Sequence, residues 1–220
     1  MNLQHALKYA PHLYFDKKEP FFPCMIGVTE IRKGEVSPSF RRSFIFDDER
    51  LDHIIEYAIY FDFDIQHLYE LEHVWVYVSK EEDVLDCEAS FHGRYFKGLF
   101  PDRRNLVNNT HVKLYSQPGK HAFFPDEQFF HFIPDVMTCT DEGAGQDGLT
   151  VPFFYKHEQV FQQNVNTNQL IKQYMKRFRF TPSLKFEYFE LKDVLFRSWT
   201  EVFEEIPRRM NSRLEEMKKG

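Results

Sequence analysis

The stretch "DFDIQHLYELEHVWVYV", Asp62 to Val78, sets four carboxylates (Asp62, Asp64, Glu70, Glu72) and two imidazoles (His67, His73) directly ahead of an apolar run with strand alternation. A charge at the head of a buried strand costs on the order of several kcal/mol unless it is paired or bound to a metal. Alternate residues of a strand share a face, so Glu70 and Glu72 point the same way as Val74, Val76 and Val78, while His73, Trp75 and Tyr77 point the other way. By the same rule Tyr60, Asp62 and Asp64 share a face of the preceding run. Only the link Ile65 to Tyr69 joins the two runs, which brings Asp64, His67, Glu70 and Glu72 together at the head of an antiparallel pair. Three carboxylates that close repel one another and partly protonate unless a cation sits among them. Three oxygen donors and one imidazole without thiolate suit Mg²⁺, Ca²⁺ or Mn²⁺ ahead of Zn²⁺ or Fe²⁺. The spacing fits equally well an exposed hairpin whose charges are solvated.

Outward from this stretch, the chain before residue 160 alternates short aromatic and β-branched runs with Pro, Gly, Asn and Asp clusters: "LYF", "RRSFIF", "YAIYFDF", "CEASFHG", "HVKLYS" and "FFHFIP". This rhythm predicts a mainly β protein, a jelly-roll-like β-sandwich over residues 1–160 that carries the metal site. From 161 to 220 the period changes. "NTNQLIKQYMKRF" and "ELKDVLFRSWTEVFEEI" predict helices packed on the same domain, with Leu191, Leu195, Trp199, Val202, Phe203 and Ile206 on the buried stripe and Pro207 breaking or kinking the second helix. The acidic stretch "DEGAGQDG" at 141–148 lacks calcium-loop spacing and reads as a plain flexible turn.

The 220 residues, 42% hydrophobic, suffice for one core. A net charge of −6 with the 28 Lys and Arg dispersed argues against a nucleic-acid partner. Twenty-five Phe against nine Gly disfavours a Gly-rich nucleotide-binding fold. Cys24, Cys87 and Cys139 are odd in number and match no zinc spacing, and the N-terminus has no leader pattern, so reduced thiols and a cytoplasmic location are expected. No segment has the roughly 18 apolar residues a transmembrane helix needs.

"YAIYFDFDIQHLYELEHVWVYVS" resembles the central segment of the necrosis- and ethylene-inducing-peptide-like (NEP-like) cytolysins, in which an aromatic strand ending in Asp leads to a Gly-His-Arg-His-Asp-Trp-Glu heptapeptide and a valine-rich strand. On that pattern Asp64 takes the place of the strand-end Asp, and His67, Glu70 and Glu72 those of the first His, the Asp and the Glu. Gln66, Leu68, Tyr69 and Leu71 replace the Gly, Arg, second His and Trp, and the link after Asp64 is shorter. The resemblance implies a divalent cation at Asp64, His67, Glu70 and Glu72. "CEASFHGRY" resembles the family's Ser-x-His-Gly strand and places His92 at the rim, and "HVKLYSQPGKHAFFP" resembles its later strand and turn and places His121 there. His73 is a further rim or second-shell candidate, the weakest by strand parity. The opening "YAPHLYFDKKEPFFP" is similar to the related vacuolar-protein-sorting-associated group.

Two functions of different class follow. One is a binding module whose metal site recognises a glycan, phosphate or lipid headgroup, as the resemblance implies. The other is a metal-dependent esterase or phosphoesterase with His92 or His121 relaying protons. A purely structural metal is a third reading. No nucleophile elbow, paired-metal ligand set or cofactor loop is recognisable in the sequence, which favours the binding module.

Overall fold

The computed structural model describes residues 2–155 and 163–219. A short helix α1 (Leu3–Lys8) precedes strands β1 (His12–Asp16) and β2 (Met25–Ile31). Two long strands follow, β3 (Leu51–Phe63) and β4 (His67–Ser79), then β5 (Val84–Phe91), β6 (Arg94–Lys97), β7 (Leu106–Val107), β8 (His111–Ser116), β9 (Phe123–Phe124) and β10 (Gly148–Leu149). The chain ends with α2 (Val165–Met175), β11 (Phe186–Phe189), β12 (Phe196–Ser198) and α3 (Trp199–Lys219). The larger sheet has the order β12-β2-β3-β4-β5-β6, with β10 beside β4. The smaller has the order β11-β1-β8-β7, with β9 beside β8. Three pairings are parallel, β12 with β2, β10 with β4 and β1 with β8. The expected β-sandwich is therefore built from two mixed sheets.

Period-two patterning puts Val74, Val76 and Val78 of β4 with Ile55, Tyr57, Ile59 and Phe61 of β3 against Leu13, Phe15, Val112 and Leu114 of the smaller sheet. The outer face of the larger sheet is buried as well. Ala58 and Tyr60 meet Val202, Ile206, Met210 and Met217 of α3, and Trp75 packs against Phe40 and Phe44. Burial on both faces is why β3 reads as an almost unbroken apolar run.

Asn164 caps α2 by accepting from Thr167 N at 2.9 Å. α3 opens on a capping box, with Ser198 N donating to Glu201 at 2.8 Å and Glu201 N donating to Ser198 Oγ at 3.3 Å. The helix expected from residue 190 thus starts at Trp199. Phe196–Ser198 instead pairs with Ile26–Val28, because the edge of β2 offers backbone partners that a helix would leave unsatisfied. Pro207 does not end α3 either. It has no N–H for the carbonyl of Phe203, and Tyr155 Oη donates to that carbonyl in its place.

Two expected strands are not strands. "RRSFIF" covers the outer sheet face with Phe44 and Phe46 and makes a single bridge, Val36 to Ser43. "FFHFIP" lies in a 3₁₀ turn, Glu127–Phe132, started by the Asp126 carboxylate accepting from Gln128 N at 3.0 Å. The boundary expected at residue 160 lies outside the described residues. Residues 161–220 prove to hold β11 and β12 as well as helices, so this segment completes both sheets. Among the described residues no helix is long and apolar enough to cross a membrane, and the three cysteines are free thiols.

Candidate functional site

β3 ends at Phe63, and Asp64, Ile65 and Gln66 turn the chain into β4. Gln66 N donates to Asp64 Oδ1 at 2.6 Å, an Asx turn that lifts Asp64 out of strand alternation. Asp62 and Asp64 therefore face opposite ways, contrary to the shared face that parity predicts. Asp62 lies on the outer side, where Arg209 Nε and Nη2 donate to it at 2.8 and 2.7 Å and Arg213 Nε at 3.0 Å. Asp64 turns to the other side and is fully buried.

The turn is braced by the stretch expected to be a plain flexible turn. Gly145 N donates to Ile65 O at 2.9 Å and Asp147 N to Gln66 O at 3.0 Å, and β10 continues along His67 and Leu68. Gly145 has φ +73°, and a Cβ there would stand 2.6 Å from Lys172 Cα. Only glycine fits at that contact between loop and α2.

Asp64, His67 and Glu70 converge, each offering a ligand atom within 4.8 Å of the others. His67 Nε2 is 3.8 Å from Asp64 Oδ2 and 3.6 Å from Glu70 Oε2. Glu72 stands next on the same face, with its carboxylate accepting from Ser90 Oγ. A cleft of about 350 Å³ opens here, bordered by Tyr69, Glu70, Glu72, His92 and Lys120.

The sequence reading missed Lys120. Its Nζ lies 3.0 Å from Asp64 Oδ1 and 2.9 Å from Oδ2, and the geometry leaves Oδ2 without a proper hydrogen bond. The available signal was the Pro118-Gly119 turn. Gly119 has φ +69°, and a Cβ there would come within 2.8 Å of Ile65 Cγ2, so the turn presses against the link that carries Asp64.

Burial raises the Asp64 pKa, but the Lys120 ammonium and the hydrogen bond from Gln66 N outweigh it and hold the carboxyl below its usual range. Burial pushes Glu70 well up, with Glu72 and Asp64 adding repulsion. Glu72 is pushed up to about 8 by burial, against the Ser90 hydrogen bond. His67 is lowered, chiefly by burial, and is neutral. With every carboxylate ionised, three negative charges face one ammonium. The excess of two requires either protons on the glutamates or a divalent cation. Oxygen donors, a neutral imidazole and an under-bonded Asp64 Oδ2 fit such an ion, and Asp64, His67 and Glu70 converge closely enough to hold it, with Glu72 beside them.

The three rim candidates separate. His92, at φ +50°, borders the cleft and places Nε2 2.8 Å from Gln117 Oε1. His121 is fully buried, stacked on Phe61 at 4.0 Å with Nε2 3.3 Å from Glu19 Oε1, and the cleft wall is Lys120 instead. His73 has its ring on the outer face, as parity predicts. It stacks on Trp75 with Nε2 3.0 Å from Ser39 Oγ, and burial lowers its pKa to about 3. Ser39 also donates to the buried Glu56 at 2.6 Å, and Trp75 Nε1 donates to the same carboxyl at 2.7 Å. His73 and Ser39 also line the cleft, so this network reaches its wall.

No family model and no curated protein matches the chain. Solved structures do. The chain is similar to NLPPya in complex with glucosamine, at 19% identity over 55% of this chain and 64% of that one, with a TM-score of 0.38. It is similar to NLPPya in complex with mannosamine, at 18% identity over 55% and 64%, with a TM-score of 0.37. A third neighbour is Necrosis and Ethylene inducing Protein 2 from the causal agent of cocoa's witches' broom disease, at 19% identity over 56% and 66%, with a TM-score of 0.35. The chain thus spans under two thirds of the length of these two NLPPya chains. Its neighbours among solved structures are necrosis- and ethylene-inducing proteins, the group its sequence resembles.

Proposed function

We propose that the cleft binds one divalent cation through Asp64, His67, Glu70 and Glu72, and that this site recognises a polar ligand, a glycan, phosphate or lipid headgroup. The observation that carries the reading is the charge excess: three carboxylates against, among the described residues, the one ammonium of Lys120, with Asp64 Oδ2 under-bonded. When bound, the ion supplies a positive centre that takes hydroxyl or phosphate oxygens in place of water. Lys120 Nζ donates to Asp64 and stands at the cleft wall, where it can also donate to a ligand oxygen. Tyr69 borders the same opening. The hydrolase alternative asks for a base at this rim, and His92 already commits one ring nitrogen to Gln117.

The test is calorimetric titration of chelator-treated protein with Mg²⁺, Ca²⁺ and Mn²⁺, followed by glucosamine, mannosamine and inorganic phosphate with and without the ion. The expected result is one equivalent of cation, lost in Glu70→Gln and Asp64→Asn, and ligand binding that requires it. Cation binding unaffected by either substitution would overturn the metal site. Ligand binding that persists in chelator would overturn its role in recognition.

A further inference from the structure

A second cluster of metal-ligating side chains lies at the opposite end of β3. His5 on α1 and His53 on β3 approach with their Nε2 atoms 2.8 Å apart, and Glu30 of β2 joins them, each residue offering an atom within 4.8 Å of the others. Residues 53 and 64 are eleven apart along nearly straight strand, about 35 Å, so this cluster is independent of the cleft at Asp64. We propose that His5, His53 and Glu30 form a second cation site, selective for Zn²⁺, with an open coordination position.

Four observations support the assignment. First, Asp52 Oδ2 lies 2.8 Å from His53 Nδ1. A carboxylate there requires the proton on Nδ1, so the lone pair of His53 sits on Nε2 and faces His5. This carboxylate, histidine and ion arrangement is the usual outer support of a zinc ligand. Second, Arg32 donates to Asp52 Oδ2 at 2.7 Å and to Glu30 Oε1, so one guanidinium orients both carboxylates. Third, the His5 ring packs edge-on against Tyr9 with centroids 5.2 Å apart, a contact that orients it beside His53. Fourth, His5 and Glu30 border a cleft of about 500 Å³ walled by Val28, Pro38, Ile55 and Trp199, which leaves a side of the cluster open.

Two imidazole nitrogens and one carboxylate match zinc, whereas Mg²⁺ and Ca²⁺ prefer the oxygen-rich cleft. Zn–N bonds of about 2.0–2.1 Å in a tetrahedron hold their nitrogens about 0.5 Å further apart than the present pair. His5, half-exposed on a six-residue helix, is placed to move that far.

The test is titration of chelator-treated full-length protein with Zn²⁺ in excess Mg²⁺, repeated with Co²⁺ to read its visible absorption. The expected result is one equivalent of Zn²⁺ that Mg²⁺ does not displace. Affinity should fall at least about tenfold in His5→Gln and in Glu30→Gln, and to a similar extent in Asp52→Asn. Glu70→Gln should leave it unchanged. Glu30 is exposed, so its variant keeps the test usable if a histidine variant is poorly folded. Parent protein that takes up no Zn²⁺ under these conditions would overturn the proposal. So would uptake unaltered by His5→Gln and Glu30→Gln, or abolished by Glu70→Gln.

Discussion

Lys120 Nζ sits 2.9 Å from Asp64 Oδ2, an ion pair between the turn after β8 and the turn between β3 and β4, with the carboxylate fully enclosed and 11% of the lysine side chain exposed. It ties the two sheets together beside the cleft. Lys120→Met retains the aliphatic stem and removes the charge, which leaves Asp64 buried without its partner. Chelator-treated Lys120→Met should lose about 3 kcal/mol, the range for breaking a buried pair, while its affinity for a divalent cation rises. Denaturant melts in chelator and metal titration read the two effects. Stability equal to the parent would mean that the lysine is not the counter-charge.

The glutamates set a pH dependence whose sign can be worked out. Glu72 keeps its proton in the folded protein up to about pH 8, against an ordinary value of 4.5, and Glu70 is shifted the same way. A raised pKa stabilises below the unfolded value, and that contribution is lost as pH rises through the folded value. His67 and His73 act oppositely, because lowered pKa values cost stability as pH falls below 6.5. Between about pH 7 and 8 the lowered histidines no longer oppose this, so metal-free protein should lose up to about 1.4 kcal/mol per pH unit through Glu72, with Glu70 acting in the same direction. Glu72→Gln should shallow this slope, and saturating cation should abolish it. A flat urea midpoint between pH 7 and 8 in chelator would contradict the assignment.

Asp62 anchors α3 rather than the cleft. Asp62→Asn should cost about 2 kcal/mol, less than a fully enclosed pair, because Arg209 and Arg213 keep 28% and 31% of their side chains exposed. Cation affinity should not change, since Asp62 faces away from Glu70. A parallel loss of metal binding would show that the two sides of the sheet are coupled.

The hydrogen bond from Tyr155 to Phe203 O substitutes for the N–H that Pro207 lacks. Tyr155→Phe should therefore cost about 1–2 kcal/mol. In a Pro207→Ala background, where the helix can satisfy its own carbonyl, the same change should cost less. A double-mutant cycle measures the difference, and a coupling energy of zero would show that Tyr155 contributes only packing.

The β-sandwich was legible because alternation over residues 70–78 and the apolar run of β3 dictate which faces are buried, wherever the partner sheet comes from. The same period put Glu70 and Glu72 on one face and His73 on the other. The short link after Asp64 added Asp64 and His67, the resemblance to a known motif chose the same residues, and the fold brings Asp64, His67 and Glu70 together. What lay beyond the sequence were pairings set by long-range contacts. Arg209 reaches Asp62 across 147 residues, Lys120 reaches Asp64 across 56, and His5 meets His53 across 48. No local period encodes such distances.

Local turns also overrode simple patterns. The Asx turn at Asp64 broke the parity that would have joined it to Asp62, and the free edge of β2 drew Phe196–Ser198 out of a helical stripe. Sequence by itself determined the sandwich, its buried faces and the acidic character of one end, because these follow from hydrophobic periodicity and charge. Tertiary structure decided which cation faces each carboxylate, because a buried charge is settled by whichever opposite group the packed chain delivers within about 3–4 Å.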